Sequence, residues 1–89
     1  MLDTVTQYDE VAREAREVML AKNADYGDSW RIMRLTGIID QIHVKVHRII
    51  QLEALQAKGE SPKVSEGIES ELRDIANYAI FATIKLREK

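Results

Sequence analysis

Along most of this chain apolar residues recur at the three- and four-residue spacing of a helix face, and they nowhere alternate with polar ones over a strand's length. The pattern predicts an all-α chain with three breaks. A first helix runs from Asp3 or Thr4 to Lys22, with Val5, Tyr8, Ala12, Ala15 and Met19 on one stripe and Glu10, Glu14 and Glu17 facing solvent. Asn23 to Ser29 reads as a loop in which Gly27 is free to take positive φ. Asp28 or Ser29 then caps a short helix from Trp30 to Leu35, and Gly37 bends the chain. A third helix spans Ile38 to Lys58, its stripe formed by Ile38, Ile39, Ile42, Val46, Ile49 and Ile50, and Gly59-Glu60-Ser61-Pro62 stops it. The fourth starts near Ser65 and continues to the C-terminus.

The fourth helix has the cleanest period, Ile68, Leu72, Ile75, Ala79, Ala82 and Leu86, and a second apolar group at Ile80, Phe81 and Ile84. A helix apolar on two sides is buried on two sides. One side is expected to close the bundle and the other to meet a second subunit. The fold class is therefore a small helical bundle, residues 1–89 forming one domain of three longer helices plus one short helix, completed by dimerisation or a larger assembly.

Size strengthens the case for association, because a chain of 89 residues buries only about 60–65% of its unfolded surface. A net charge of −2 argues against direct nucleic-acid binding, which needs a basic excess. No apolar run reaches the roughly 18–20 residues of a membrane span, and no apolar signal core opens the chain. With no cysteine there is neither a disulfide nor a thiolate zinc site, and a cytoplasmic setting is the expectation.

Candidate chemistry concentrates in the fourth helix. Glu71 and Asp74 are three residues apart and share a face with Tyr78 and Lys85, at the edge of the apolar stripe. Two carboxylates there need a partner, and a hard divalent cation is one. Asn77 and Tyr78 would support such ligands from behind. The plainer reading is a solvated flank with salt bridges. Lys45 and Arg48 of the third helix face this band if the two helices are antiparallel neighbours. They read either as interhelical salt bridges or as a phosphate clamp. Glu53 falls inside an apolar stripe, which means that the bundle opens there or that Glu53 joins an acidic site. His43 and His47 have a zinc-chelating spacing beside Asp40, but no glutamate follows His43 as in the zinc-protease motif. Glu14 and Glu17 repeat the acidic spacing on a solvent face. The loop from Lys22 to Trp30 sets Asp25, Tyr26 and the sole tryptophan close together. That suits a nucleobase or sugar contact, and equally a loop pinned by a buried indole.

These residues carry a resemblance. Lys22-Asn23-x-Asp25-Tyr26-Gly27-Asp28-Ser29-Trp30, Lys45-x-x-Arg48, Glu66 and Asp74-Ile75-Ala76-Asn77-Tyr78-Ala79 look like the nucleotide modification associated domain family of small phage and bacterial proteins, over roughly residues 8 to 86. More distantly, Glu71-x-x-Asp74-x-x-x-Tyr78 is similar to an acidic helix of the all-α nucleoside triphosphate pyrophosphohydrolases, the MazG and dimeric dUTPase group. In that group four acidic residues from two helices hold magnesium, which bridges the triphosphate and activates water. Only Glu71 and Asp74 match. The other acidic helix should present Glu-x-x-Glu, where this chain has Asp40-Gln41-Ile42-His43 and Lys45-x-x-Arg48. Asp25, Asp28, Glu53 or Glu66 would have to complete the metal site.

The resemblance implies a nucleotide-binding protein of phage-type nucleotide metabolism, magnesium-assisted, with pyrophosphohydrolysis as its further step. Glu71 and Asp74 would be metal ligands, Lys45 and Arg48 phosphate ligands, and Asp25, Tyr26 and Trp30 nucleoside contacts. The competing expectation is a non-catalytic dimeric interaction module derived from the same fold.

Overall fold

A computed structural model describes residues 3–63 and 67–88 of the chain. The order is α1 (Thr4–Tyr26), a 3₁₀ turn (Ser29–Ile32), α2 (Leu35–Ala57) and α3 (Ile68–Arg87). Among the described residues there is no strand, so the protein is an all-α small bundle.

Cap chemistry accounts for the start of α1 and for the ends of α1 and α2. The Asp3 carboxylate accepts a hydrogen bond of 2.8 Å from the Thr6 amide and starts α1. The helix runs four residues past the expected Lys22, and Asn23 to Tyr26 are its last turn rather than a loop. What ends it is Gly27, at φ +67°, whose amide donates to the Asn23 carbonyl at 2.8 Å. The short second helix is a single 3₁₀ turn, and α2 begins at Leu35, before Gly37. Gly37 therefore lies in the first turn of α2 and does not bend the chain. At the far end Gly59, at φ +73°, closes a Schellman motif, with the Glu60 amide donating to the Leu55 carbonyl and the Gly59 amide to that of Gln56. The expected start of the last helix near Ser65 lies outside the described residues. The helix is observed from Ile68, with Glu69 and Glu71 in its first turn and Lys85 and Arg87 in its last, as the helix dipole favours.

The central helix is α3. Lys45 of α2 meets Glu71 and Asp74, while Ile38 packs with Ala82, so α2 and α3 are antiparallel. On the other side Asn77 reaches Ala15 and Asp74 reaches Lys22, so α1 is antiparallel to α3 as well. The core is small. Trp30, Ile38 and Ala82 are buried, with Met33, Leu35, Ile42, Tyr78, Phe81 and Ile84 packed around them.

Several faces differ from expectation. Phe81 and Ile84 pack into the intrachain core instead of facing a partner. The apolar side of α3 left open is that of Leu72 and Ile80, each more than half exposed. Val5 and Tyr8 of the α1 stripe, and Ile39, Val46 and Ile50 of the α2 stripe, are exposed too. The seam of α2 is instead Leu35, Ile38, Ile42, Lys45, Ile49, Leu52 and Leu55, none of them exposed. Glu53 is exposed, so the bundle opens there. Glu14 is half-buried beside α3 and not on a fully solvated face.

The chain exposes 7026 Å². A compact monomer of 10.2 kDa exposes on the order of 5,300 Å². The radius of gyration, 15.0 Å, exceeds the roughly 12 Å of a compact domain of this length.

Candidate functional site

The seam between α2 and α3 carries charge where a helical pair would ordinarily be apolar. On α3 it runs through Ile68, Glu71, Ile75, Tyr78, Ala82 and Lys85, and Glu71 is 3% exposed. Opposite it Lys45 is 9% exposed. The Lys45 Nζ lies 3.4 Å from Glu71 Oε2 and 3.0 Å from Asp74 Oδ2. The remaining oxygens are taken from outside the seam. Arg48 stands 3.6 Å from Glu71 Oε1, and Lys22 stands 3.1 Å from Asp74 Oδ1. The five groups form an alternating run, Lys22–Asp74–Lys45–Glu71–Arg48, with three cations and two anions. Its two ends, Lys22 and Arg48, have side chains about half exposed, whereas those of Lys45 and Glu71 are buried.

The protonation states follow from these contacts. Burial works against ionisation of Asp74, but the hydrogen bonds and charges of Lys45 and Lys22 outweigh it and hold the carboxyl below its ordinary value. Burial likewise pulls the Lys45 ammonium down, and Asp74 and Glu71 overcome that to raise it. Asp74 and Lys45 are therefore held in their charged forms, and by formal charge the run carries three cations against two anions.

Beside it lies a cleft of about 400 Å³, lined by Lys22, Tyr26, Trp30, Asp74, Tyr78 and Phe81 among others. The Gly27 turn shapes its mouth. The Asn23 side chain donates to Asp28 at 2.8 Å, and Asp28 in turn pairs with Arg31 at 3.4 Å. Arg31 pairs with Glu88 at 3.1 Å, and Lys85 donates to the Arg31 carbonyl at 2.6 Å, tying the 3₁₀ turn to the end of α3.

The structure distributes the expected site residues as follows. Glu71 and Asp74 converge with Lys45 and Arg48, but only Asp74 also lines the cleft. Trp30 and Tyr26 line it too. Trp30 is 7% exposed, stacked on Phe81 with ring centroids 4.5 Å apart, and beneath the Arg31 guanidinium, so the buried-indole reading describes it. Tyr26 is exposed at the lip. Asp25 is exposed on the last turn of α1 and does not line the cleft. Asn77 donates to the Ala15 carbonyl at 3.0 Å and so ties α3 to α1, while Tyr78 packs edge-on against Phe81 of its own helix and against the core. Asp28 serves the turn, and Glu66 lies outside the described residues. His43 and His47 are exposed. Among the described residues no three His, Asp or Glu side chains are placed to share a metal ion.

The donor set does not fit magnesium as it stands. An ion bridging Glu71 and Asp74 would stand against the Lys45 ammonium. At 4 Å and an effective dielectric near 20, a divalent ion and an ammonium repel by on the order of 8 kcal/mol.

Two features were missed from sequence. One is Lys22, which joins the charged run to the cleft. The other is the seam position of Lys45. A stripe read as 38-42-45-49-52 instead of 38-39-42-46-49-50 exposes it, because Lys45 is then the charged member of an apolar heptad.

With this geometry in place the comparison with known families has a physical reading. The family model of nucleotide modification associated domain 1 matches residues 22–86. The chain belongs to that family. The match begins at Lys22 and takes in the Gly27 turn, the 3₁₀ turn, α2 and almost all of α3, which are the elements that build the cleft and the charged seam. No curated protein and no solved structure matches the chain.

Proposed function

We propose that this protein binds a nucleoside phosphate in the cleft between the Gly27 turn, the 3₁₀ turn and α3. One observation carries the reading. An aromatic-lined cleft of ligand size shares Lys22 and Asp74 with a charged run that has one cation in excess. The base would lie among Tyr26, Tyr78 and the Trp30–Phe81 pair, and the phosphates would draw Lys22 away from Asp74. Lys45 and Arg48 add to the positive field from behind. The family's name, which associates it with nucleotide modification, agrees with this class of ligand.

The expected magnesium would be held by Glu71 and Asp74 and would neutralise phosphate charge, but only after Lys45 withdrew. The engagement of both carboxylates by lysine and arginine favours binding without hydrolysis, which is the non-catalytic alternative. The experiment is a titration with nucleoside mono-, di- and triphosphates, read through the single tryptophan at the cleft. Saturable quenching that Lys22→Ala weakens about tenfold is expected. No response across ribo- and deoxyribonucleotides would sink the reading. Pyrophosphate release measured in the same samples tests hydrolysis separately.

The binding unit is proposed to be a homodimer. The surface in excess of a compact monomer is roughly 1,700 Å² per chain, above the ~800 Å² that each partner buries in an ordinary interface. An open groove between α1 and α3, lined by Tyr8, Val11, Ala12, Leu72, Ala76 and Ile80, supplies the apolar area. Among the described residues no helix is long and apolar enough to cross a membrane, so a bilayer-spanning helix does not account for that area.

A further inference from the structure

Lys45 is the residue whose position the functional reading leaves unexplained. A surface lysine would attract phosphate as well, and would not need to be buried in the seam. Its neighbours Ile42 and Ile49 on the seam are apolar, and its own side chain is 11% exposed. The ammonium is within 3.4 Å of one oxygen from each of two carboxylates on α3. That is the place a divalent ion would take to bridge Glu71 and Asp74. The outer oxygen of each carboxylate already has its own cation, Arg48 or Lys22. A tethered ammonium cannot diffuse away, so any incoming ion competes with a cation at a permanently high local concentration.

We propose that the Lys45 ammonium is the resident counter-cation of this site, standing between Glu71 and Asp74 in place of a divalent ion and making phosphate recognition in the adjoining cleft independent of divalent metal. Lys45 is a positioning residue here. It sets the orientation and charge of Asp74, and Asp74 sets that of Lys22 at the cleft. The ligand half of the inference rests on the nucleoside-phosphate reading, and the metal half does not.

The decisive measurement uses Mn²⁺ alone, with no nucleotide, followed by electron paramagnetic resonance of the free ion in the presence of the full chain. Wild type is expected to leave the Mn²⁺ signal at its buffer level. Lys45→Ala, which removes the ammonium and leaves the carboxylates, is expected to deplete it, and Glu71→Gln in that background to restore it. Mn²⁺ bound by wild type and released by Glu71→Gln would overturn the proposal. A folded Lys45→Ala that ignores Mn²⁺ would overturn it too, since the pair would then have no need of a cation between its members. Should Lys45→Ala fail to fold, Lys45→Met keeps the stem for packing, and the wild-type arm decides by itself.

A second arm titrates a nucleoside triphosphate into wild type in EDTA and in Mg²⁺, followed by tryptophan fluorescence. Affinities within about twofold support metal-independent recognition, and a loss of about tenfold or more in EDTA overturns it. Silence in both media would defeat the nucleotide reading, while the Mn²⁺ result would still judge the metal half.

Discussion

At the scale of single residues, the ion pair in the seam is the feature with the largest consequences. Burying charge is expensive, and removing one partner of a buried pair leaves the other uncompensated. Glu71→Gln, facing Lys45, is therefore expected to lower the unfolding free energy by on the order of 3 kcal/mol in urea melts. The double variant Lys45→Met, Glu71→Leu should recover much of the loss, because two apolar groups fill the seam and Asp74 keeps Lys22; a cycle without coupling would contradict the geometry. The pH dependence has two edges. The Asp74 carboxyl is held below its ordinary value of 3.8, so its contribution is present above that value and fades as pH falls through the lower folded value. The Lys45 ammonium is raised above 10.5, so its contribution is complete below 10.5 and fades as pH rises through the higher folded value. The urea midpoint of the wild type should therefore fall in acid below 3.8 and in alkali above 10.5, and the Lys45→Met variant should lose the alkaline edge assigned to this group. The carboxylates were legible in sequence as a pair sharing a helix face. Their union with Lys45 was only one of two open readings, because it depends on which turn of α2 lies opposite.

At the scale of elements, two glycines with opposite roles test the account of the helix ends. Gly27 has positive φ, where any side chain strains the backbone, so Gly27→Ala should cost about 1 kcal/mol. Gly37 sits inside the first turn of α2, and an added Cβ would meet only the Met33 side-chain methyl at 3.8 Å. Gly37→Ala should therefore stabilise by up to about 1 kcal/mol, as alanine replaces glycine in a helix. Thermal melts of the two variants should move in opposite directions. The four helical segments could be read from periodicity and breakers. Their ends could not, because Asn23 and Asp25 favour turns by composition yet helical hydrogen bonding continues through them until Gly27 releases it. The stripe on α2 was displaced by one residue for a similar reason. Valine and isoleucine at 39, 46 and 50 mimic a buried face, while packing against α3 selects the row through Lys45.

At the scale of the whole molecule, the open groove between α1 and α3 leads to a prediction about assembly. Ile80→Asp or Leu72→Asp should convert a dimer to the 10.2 kDa monomer in sedimentation with the helical circular dichroism retained. Phe81→Asp should instead unfold the chain, since Phe81 stacks on Trp30. Wild type sedimenting as a stable monomer at micromolar concentration would remove the dimer. What the sequence by itself determined was the all-α class, the order of the three long helices and the residue types available for chemistry. Periodicity, glycine punctuation and the placing of charges are local properties, readable within a few turns of chain. Only the tertiary structure decided which face of α3 is core and that Trp30 is buried on Phe81. It also decided that the Lys45 ammonium stands between Glu71 and Asp74. The physical reason is that a charge has no fixed energy along a helix. Its cost and its partner are set by what the neighbouring helix brings opposite it, and that depends on a register of one residue in α2.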